Sequence, residues 1–268
     1  MNQNLPPPEY PPHVSYPDSE RQYPPPGPAA QRVPVSLPAA RPVITYIWMA
    51  LSILVFLGQQ ASRTTFGGDL PAALGMKVND LILQGEYWRL FTPVILHGSV
   101  LHLGFNMYAL YIFGPGLERH YGHGRFLALY LLAGFAGNVL SFIFSSANSL
   151  GSSTAIFGLL GAEAVFLFRN QRLLGGSARR ALNNLILIAV VNFLIGLSPG
   201  IDNWGHLGGL LGGTFFAWLG GPVLEVAGVY PDFRVEDTRP RRQVVLAGVL
   251  DFLVFAALAG IAIYLRSG

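Results

Sequence analysis

Gly151-Ser-Ser-Thr-Ala-Ile-Phe-Gly-Leu-Leu-Gly-Ala162 is a long apolar run with a potential nucleophile, Ser153, near its beginning. A second apolar run, Trp204-Gly-His-Leu-Gly-Gly-Leu-Leu-Gly-Gly213, carries His206 near its own beginning. Polar side chains are costly inside a membrane, where they normally face the bundle interior or a water-filled cavity. If both runs cross a membrane, a nucleophile and a base enter the bilayer together.

The composition is typical of a polytopic membrane protein. Of 268 residues, 51% are hydrophobic and only 12% are charged, whereas an ordinary soluble domain carries about 25% charged residues. Cysteine is absent, which excludes disulfides, thiolate catalysis and cysteine metal sites. The net charge of +3 is modest and indicates arginines in membrane loops rather than nucleic-acid binding. We therefore predict an all-α, polytopic membrane helix bundle.

Seven apolar segments have roughly the ~20-residue length of a membrane-spanning helix. They lie near residues 43–58, 99–117, 126–146, 152–169, 181–198, 202–219 and 243–265. The connection 59–98 contains aromatic and apolar residues, but its apolar stretches are too interrupted to span a membrane. We expect a structured loop lying partly in the membrane.

The N-terminal region, residues 1–42, holds 13 of the 20 prolines. Such a segment cannot bury a core, so we expect a disordered cytoplasmic tail with polyproline-II character. Pro7-Pro8-Glu9-Tyr10 fits the ligand pattern of WW domains, but this pattern arises easily from biased composition and we do not predict a WW partner. No cleavable signal peptide is visible.

The distribution of basic residues predicts the orientation. With a cytoplasmic N-terminus and seven crossings, 13 of the 17 Lys and Arg residues lie on the inner side, as the positive-inside rule requires. The second, fourth and sixth helices then all run inward, and their first turns share one leaflet. We therefore predict a multi-pass protein, of the cell membrane, with its site opening to the outer side.

Four polar residues fall in these first turns: His102, Asn106, Ser153 and His206. Each lies on the order of 5–10 Å below the outer helix ends. Histidine can take the proton of a serine hydroxyl near pH 7 and return it to a leaving amine. His102 and Asn106 are four residues apart, on one helix face, and could donate to an oxyanion.

Small residues allow the fourth and sixth helices to approach closely. Gly161 lies on the helix face of Ser153, and Gly209 and Gly213 follow His206 at helical spacing. Asp202, four residues before His206 and near the aqueous edge, is a weaker candidate for a third catalytic residue, and a Ser-His dyad is the simpler interpretation.

These motifs resemble those of the rhomboid intramembrane serine proteases. Gly151-Ser-Ser153 and Gly158-Leu-Leu-Gly-Ala162 match that family's Gly-x-Ser and Gly-Leu-x-Gly-Ala elements, and His206, Gly209 and Gly213 match its His-x-x-Gly-x-x-x-Gly helix. Further matches, in family order, are Trp88-Arg89, His97, His102 with Asn106, and Glu118 with Gly122.

The resemblance runs from about residue 43 to 219 and implies a six-helix catalytic core there, a cytoplasmic linker over 220–242 and an extra transmembrane helix within 243–268. It implies Ser153 as nucleophile, His206 as base, His102 and Asn106 at the oxyanion, and structural roles for Trp88, Arg89, Glu118, Gly209 and Gly213.

One departure from the family pattern is Thr154, where the family usually has glycine. A β-branched residue stiffens this turn and narrows the space near the oxyanion.

Two alternatives to an intramembrane endopeptidase stay open: an inactive rhomboid-like protein that binds membrane segments, and a small transporter using the polar residues as a pathway. The first normally lacks the Ser or the His, and the second tends to show internal repeats.

Ser152 is a rival nucleophile, about 100° around the helix from Ser153. We expect transmembrane protein substrates and the lipid bilayer as partners, and no metal or organic cofactor.

Overall fold

The structure is a computed structural model that describes residues 40–267 except Leu197, Pro199 and Tyr230. The Pro-rich region predicted over residues 1–42, with its WW-type motif, therefore lies outside the described residues apart from its last three. The described part folds into a bundle of helices with a small two-stranded sheet.

Seven long helices form the bundle in the described part of the chain. They are α1 (Val43–Phe66), α4 (Val100–Tyr121), α5 (His123–Phe144), α6 (Ser153–Arg169), α8 (Gly176–Ile195), α9 (Asn203–Gly220) and α10 (Arg241–Ser267). Shorter elements are α2 (Leu70–Gly75), α3 (Asn79–Leu83), 3-10 helices at Tyr87–Leu90 and Thr92–Ile95, α7 (Gln171–Leu174), and the antiparallel strands β1 (Leu224–Ala227) and β2 (Arg234–Asp237). Each predicted apolar segment coincides with one long helix, which confirms the helical bundle.

Helix α1 extends beyond the predicted end at residue 58, because the connecting loop supplies partners for its polar residues. Gln59 is fully buried. Its side chain accepts a hydrogen bond from the His97 amide at 3.0 Å and donates one to Asp69 at 2.9 Å. Paired in this way, a polar turn can continue a helix that the hydropathy pattern would end.

Four helices, α1, α5, α8 and α10, are long and apolar enough to cross a membrane. Large apolar side chains are exposed on their outer faces, among them Leu54, Leu187 and Leu253, as expected for surfaces that contact lipid. Helices α6 and α9 are instead enclosed by their neighbours. The chain is thus a polytopic membrane protein; the seven crossings and the cytoplasmic N-terminus stay predictions.

The centre of the bundle consists of α5, α6 and α9, which approach closely through glycine. A Cβ atom on Gly158 of α6 would lie 2.1 Å from the Cβ of Ala133 in α5. One on Gly208 of α9 would lie 2.6 Å from the carbonyl oxygen of Ala136. Small residues at such contacts let helix backbones pack more closely than side chains of ordinary size would permit.

Glu118, near the end of α4, links three helices. Its carboxylate is fully buried. It accepts hydrogen bonds from the Ile44 amide at 2.7 Å, and from the amide and hydroxyl of Thr45 at 2.8 and 2.6 Å, all at the start of α1. It also contacts Nδ1 of His123, the first residue of α5, at 2.7 Å. One side chain thereby satisfies backbone donors of the first turn of α1, which lack partners within the helix.

Replacing Glu118 with Gln should lower the free energy of unfolding by about 3 kcal/mol, because an amide group would face backbone donors that now meet a carboxylate oxygen. SDS-induced unfolding of the purified protein in mild detergent measures this change. Glu225 is exposed on β1, and the matched Glu225→Gln variant should change stability by less than about 0.5 kcal/mol. Equal unfolding curves for the two variants would contradict the linking role of Glu118.

Candidate active site

Ser153 and His206 are in direct contact across the α6–α9 interface. The hydroxyl oxygen of Ser153, the first residue of α6, lies 3.0 Å from Nε2 of His206. His206 is in the first turn of α9, where its amide donates to the Asp202 carbonyl at 3.1 Å. The structure therefore brings together the two residues that the sequence predicts as nucleophile and base.

Glycines on α9 make this contact possible. A Cβ atom on Gly209 would lie 1.9 Å from the carbonyl oxygen of Thr154, and one on Gly213 would lie 2.3 Å from that of Gly158. Gly161 faces Leu210 and Thr214 of α9 in the same way. Any side chain at Gly209 or Gly213 would push the helices apart, so the backbone spacing that lets a short serine reach an imidazole depends on them.

The ring of His206 is held by stacking rather than by a third polar residue. It lies parallel to the ring of Phe157, with centroids 4.3 Å apart. Its Nδ1 atom is buried and has no hydrogen-bond partner among the described residues. Asp202 instead caps α9, accepting from the Gly205 amide at 3.0 Å, and its other oxygen accepts from the Ser141 hydroxyl. No carboxylate of the described residues therefore pairs with His206 Nδ1.

His102 lies over the backbone beside Ser153. Its Nδ1 accepts a hydrogen bond from the Gly98 amide at 3.4 Å, so the neutral ring carries its proton on Nε2. A Cβ atom on Gly151 would lie 2.7 Å from this Nε2. Gly151 also has a φ of +135°, which other residues rarely adopt. Glycine is thus required at 151 by both conformation and space.

Asn106 is buried one turn further along α4, and its Nδ2 donates to the His102 carbonyl at 2.9 Å. The bond holds the amide against its own helix and leaves a second N–H of Nδ2 available. His102 and Asn106, four residues apart in α4, thus each keep an N–H that has no partner in these two contacts.

The uncapped N-terminus of α6 supplies further donors that sequence reasoning missed. Ser152 occupies the N-cap position but makes no side-chain cap, and the first intrahelical bond joins the Ile156 amide to the Ser152 carbonyl. The amides of Ser153, Thr154 and Ala155 therefore have no partner within the helix and form the positive end of its dipole. A serine that fails to cap could not be recognised without the structure.

Comparison with known proteins identifies the family of this chain. The family model for the Rhomboid domain matches residues 84–223, a range that contains all four predicted site residues.

The chain belongs to the rhomboid family.

Relatives support the same assignment. Rhomboid protease GluP from Bacillus subtilis (strain 168) is 43% identical over 178 residues, which cover 66% of this chain and 34% of GluP. Putative rhomboid protease YdcA of the same organism is 34% identical over 182 residues, covering 66% of this chain and 88% of YdcA. RHOMBOID-like protein 9, chloroplastic, from Arabidopsis thaliana is 34% identical over 158 residues, 59% of this chain and 36% of that protein. The match thus spans only about a third of GluP and of the Arabidopsis protein.

Ser152, the rival nucleophile in this rhomboid chain, faces a different histidine. It is fully buried, and its hydroxyl oxygen lies 3.2 Å from Nε2 of His97. Ser153 is partly exposed. A buried hydroxyl cannot meet a peptide bond without opening of the bundle, so the geometry favours Ser153.

Thr154, the departure from the rhomboid pattern, packs between α5 and α9. A Cβ atom on Gly137 would lie 2.6 Å from the Thr154 Cβ, and one on Gly205 would lie 3.1 Å from its Cγ2. The Thr154 hydroxyl has no hydrogen-bond partner among the described residues. Two glycines therefore leave the space that the additional side chain occupies.

The Trp88-Arg89 motif holds the loop before α4 in shape. Arg89 is almost completely buried and donates to the carbonyl oxygens of Met76 at 2.9 Å and Ala73 at 2.8 Å. It also pairs with Glu86 at 2.6 Å. The exposed Trp88 donates from its indole to the Leu74 carbonyl at 3.0 Å. These contacts fit the structural role that the rhomboid resemblance implied.

Proposed function

We propose that this rhomboid-family protein is an intramembrane serine endopeptidase that cleaves transmembrane segments of other membrane proteins with a Ser153-His206 dyad. The observation that carries the proposal is the 3.0 Å contact between the Ser153 hydroxyl and His206 Nε2. A serine hydroxyl is a weak nucleophile until a base within hydrogen-bond reach takes its proton. The protease names of GluP and YdcA support the same reaction class.

The reaction follows from the proton positions. The Ser153 oxygen attacks the peptide carbonyl carbon while its proton passes to His206 Nε2. His206 then gives this proton to the leaving amine as the C–N bond breaks, which leaves an ester on Ser153. A water molecule, deprotonated by His206, hydrolyses the ester and restores the serine.

The oxyanion formed in each half-reaction needs donors that are already in place. We assign this role to His102 Nε2–H, to the second N–H of Asn106 and to the amides at the start of α6, which have no partner within that helix. Loss of one such donor typically costs a factor of about 10² to 10³ in rate.

The substrate is a membrane segment that unwinds readily. The first turns of α4, α6 and α9 hold the reacting groups, and the arginine distribution predicts that this end of the bundle faces outward. Cleavage would then occur near the outer end of the substrate. Small and helix-breaking residues there lower the cost of exposing a peptide bond.

Labelling by a fluorophosphonate tests the nucleophile. An activated serine displaces fluoride from the probe and becomes labelled. The wild-type protein in detergent should therefore be labelled on Ser153, and peptide mass spectrometry identifies the labelled residue. Ser152→Ala should be labelled to the same extent and Ser153→Ala should not be labelled. Labelling that persists in Ser153→Ala but is lost in Ser152→Ala would reassign the nucleophile.

Cleavage of a single-pass substrate in liposomes separates the protease from its main alternative. A protease releases two fragments, while an inactive rhomboid-like binding protein retains the intact segment and reacts with no probe. Binding without either cleavage or labelling by the wild-type protein would overturn the proposed function.

A further inference from the structure

A groove of about 810 Å³ lies between α5 and α10, and none of its lining residues belongs to the candidate active site. Its walls are apolar side chains of the two helices, including Leu131, Leu132, Val245, Val249 and Phe252. Both helices are long and apolar enough to cross a membrane. A groove with such walls therefore faces the hydrocarbon region of the bilayer.

The mouth of the groove is basic. It is lined by His123 and Arg125 at the start of α5, by Arg241, the first residue of α10, and by Arg239, two residues before that helix. His123 pairs with Glu118 and Arg125 with Asp237. Arg125 is thus paired with a carboxylate, whereas no salt bridge in the described part of the chain includes Arg239 or Arg241.

Arg239 is incompletely paired. Its Nε donates to the Gly221 carbonyl at 3.1 Å, whereas its Nη2 is buried without a hydrogen-bond partner among the described residues. Burial and the neighbouring Arg169 lower the pKa of Arg239, although Asp237 opposes this shift. An anion at the mouth would supply the missing acceptor and favour the charged guanidinium.

The N-termini of α5 and α10 also favour a bound anion. Helix α5 begins without a side-chain cap, and neither α5 nor α10 has an acidic residue in its first turn. Arg241 and Arg242 instead place positive charge at the positive end of the α10 dipole, which is unfavourable unless a negative group lies nearby.

We propose that the α5–α10 groove binds an anionic glycerophospholipid, with its phosphate at Arg239 and Arg241 and an acyl chain along the apolar walls. From Arg241 to Phe252 the groove extends about 16 Å at the helical rise, too long for a free phosphate ion. Basic pockets between membrane helices at the cytoplasmic side are suited to acidic headgroups, and the arginine distribution predicts this end of the bundle to be cytoplasmic.

Native mass spectrometry of the full-length protein in detergent tests the site by titration with phosphatidylglycerol and phosphatidylcholine of identical acyl chains. Phosphatidylglycerol should bind at least about tenfold more tightly. Arg241→Gln, at an exposed position, should weaken phosphatidylglycerol binding about fivefold, as should Arg239→Gln, without changing the affinity for phosphatidylcholine. Arg179→Gln and Arg180→Gln, at exposed positions outside the groove at the start of α8, are the matched controls.

Gly248→Leu tests the acyl part of the groove. A Cβ atom there would lie 3.6 Å from Phe216 and 3.7 Å from Leu132, an ordinary contact distance, and Leu favours a helix more than Gly does. The variant should therefore fold and bind both lipids more weakly. Equal binding of the two lipids by the wild type, equal losses in the Arg179 and Arg180 controls, or displacement of phosphatidylglycerol by glycerol phosphate would each overturn the proposal.

Discussion

Replacing Gly209 with Ala is expected to lower the rate of substrate cleavage at least about 100-fold. The added Cβ atom would lie 1.9 Å from the Thr154 carbonyl oxygen, a backbone atom that no rotamer change can move. Helices α6 and α9 must separate, and a shift of about 1 Å between reacting groups can cost this factor. Overpacking should also lower the free energy of unfolding by about 1–3 kcal/mol. Cleavage in liposomes and SDS-induced unfolding measure the two effects.

Gly260→Ala is the matched control for this prediction. Gly260 lies on an exposed face of α10, and no described atom outside its own helix backbone would lie within 4 Å of an added Cβ. This variant should retain wild-type cleavage, with stability unchanged or higher by up to about 1 kcal/mol. Wild-type cleavage by Gly209→Ala would mean that catalysis does not need the close approach of α6 and α9.

The fold was predictable because its main determinant is local. Each long helix is an apolar segment, and the Rhomboid family match confirms the bundle. The sequence predicts Ser153 and His206 at equivalent depths, because helix direction and hydropathy suffice to compare two first turns, and the two side chains are in contact in the structure. The hairpin of β1 and β2 within the expected linker 220–242 was not predicted. Its strands have only four residues each, too short for a clear alternating pattern.

Contacts between distant residues could not be predicted in the same way. Lys77 resembles a loop charge in the sequence, yet it is fully buried, and Nζ donates to the Ser145 carbonyl at 3.3 Å. Burial lowers its pKa to about 8, although Asp202 opposes this shift. Arg266, from the last turn of α10, donates to the Phe142 and Ile143 carbonyls, each at 2.7 Å. Two cations thus interact with the carbonyl groups at the C-terminus of α5. They come from separate segments that no local sequence pattern connects.

The space for the Thr154 side chain likewise depends on residues that are distant in the sequence. Gly137 and Gly205 leave room for its side chain, but they lie on two other helices, and in the sequence each is only one of 32 glycines. The contact between Ser153 and His206 was therefore predictable, while the packing around Thr154 depends on pairings that only the folded chain reveals.

Replacing His206 with Ala is expected to reduce cleavage by about 10⁴-fold, since the Ser153 hydroxyl would lose the imidazole 3.0 Å away that we propose as its base. The companion variant Asp202→Asn discriminates a dyad from a triad. In a triad, the equivalent Asp-to-Asn change costs about 10⁴-fold because the histidine tautomer is no longer held. Here Asp202 contacts Ser141 and the Gly205 amide rather than His206 Nδ1, and an Asn oxygen can still accept from that amide. We therefore expect a loss of less than about tenfold.

The two variants should also differ in their response to the fluorophosphonate probe. His206→Ala should react far more slowly than the wild type, while Asp202→Asn should react at nearly the wild-type rate, because Ser153 keeps its base. Circular dichroism of both variants controls for loss of the helical fold. A 10⁴-fold loss in folded Asp202→Asn would require Asp202 to orient His206 during the reaction, and the mechanism would then be that of a triad. A loss below tenfold in folded His206→Ala would instead show that the His206 imidazole takes no part in the reaction.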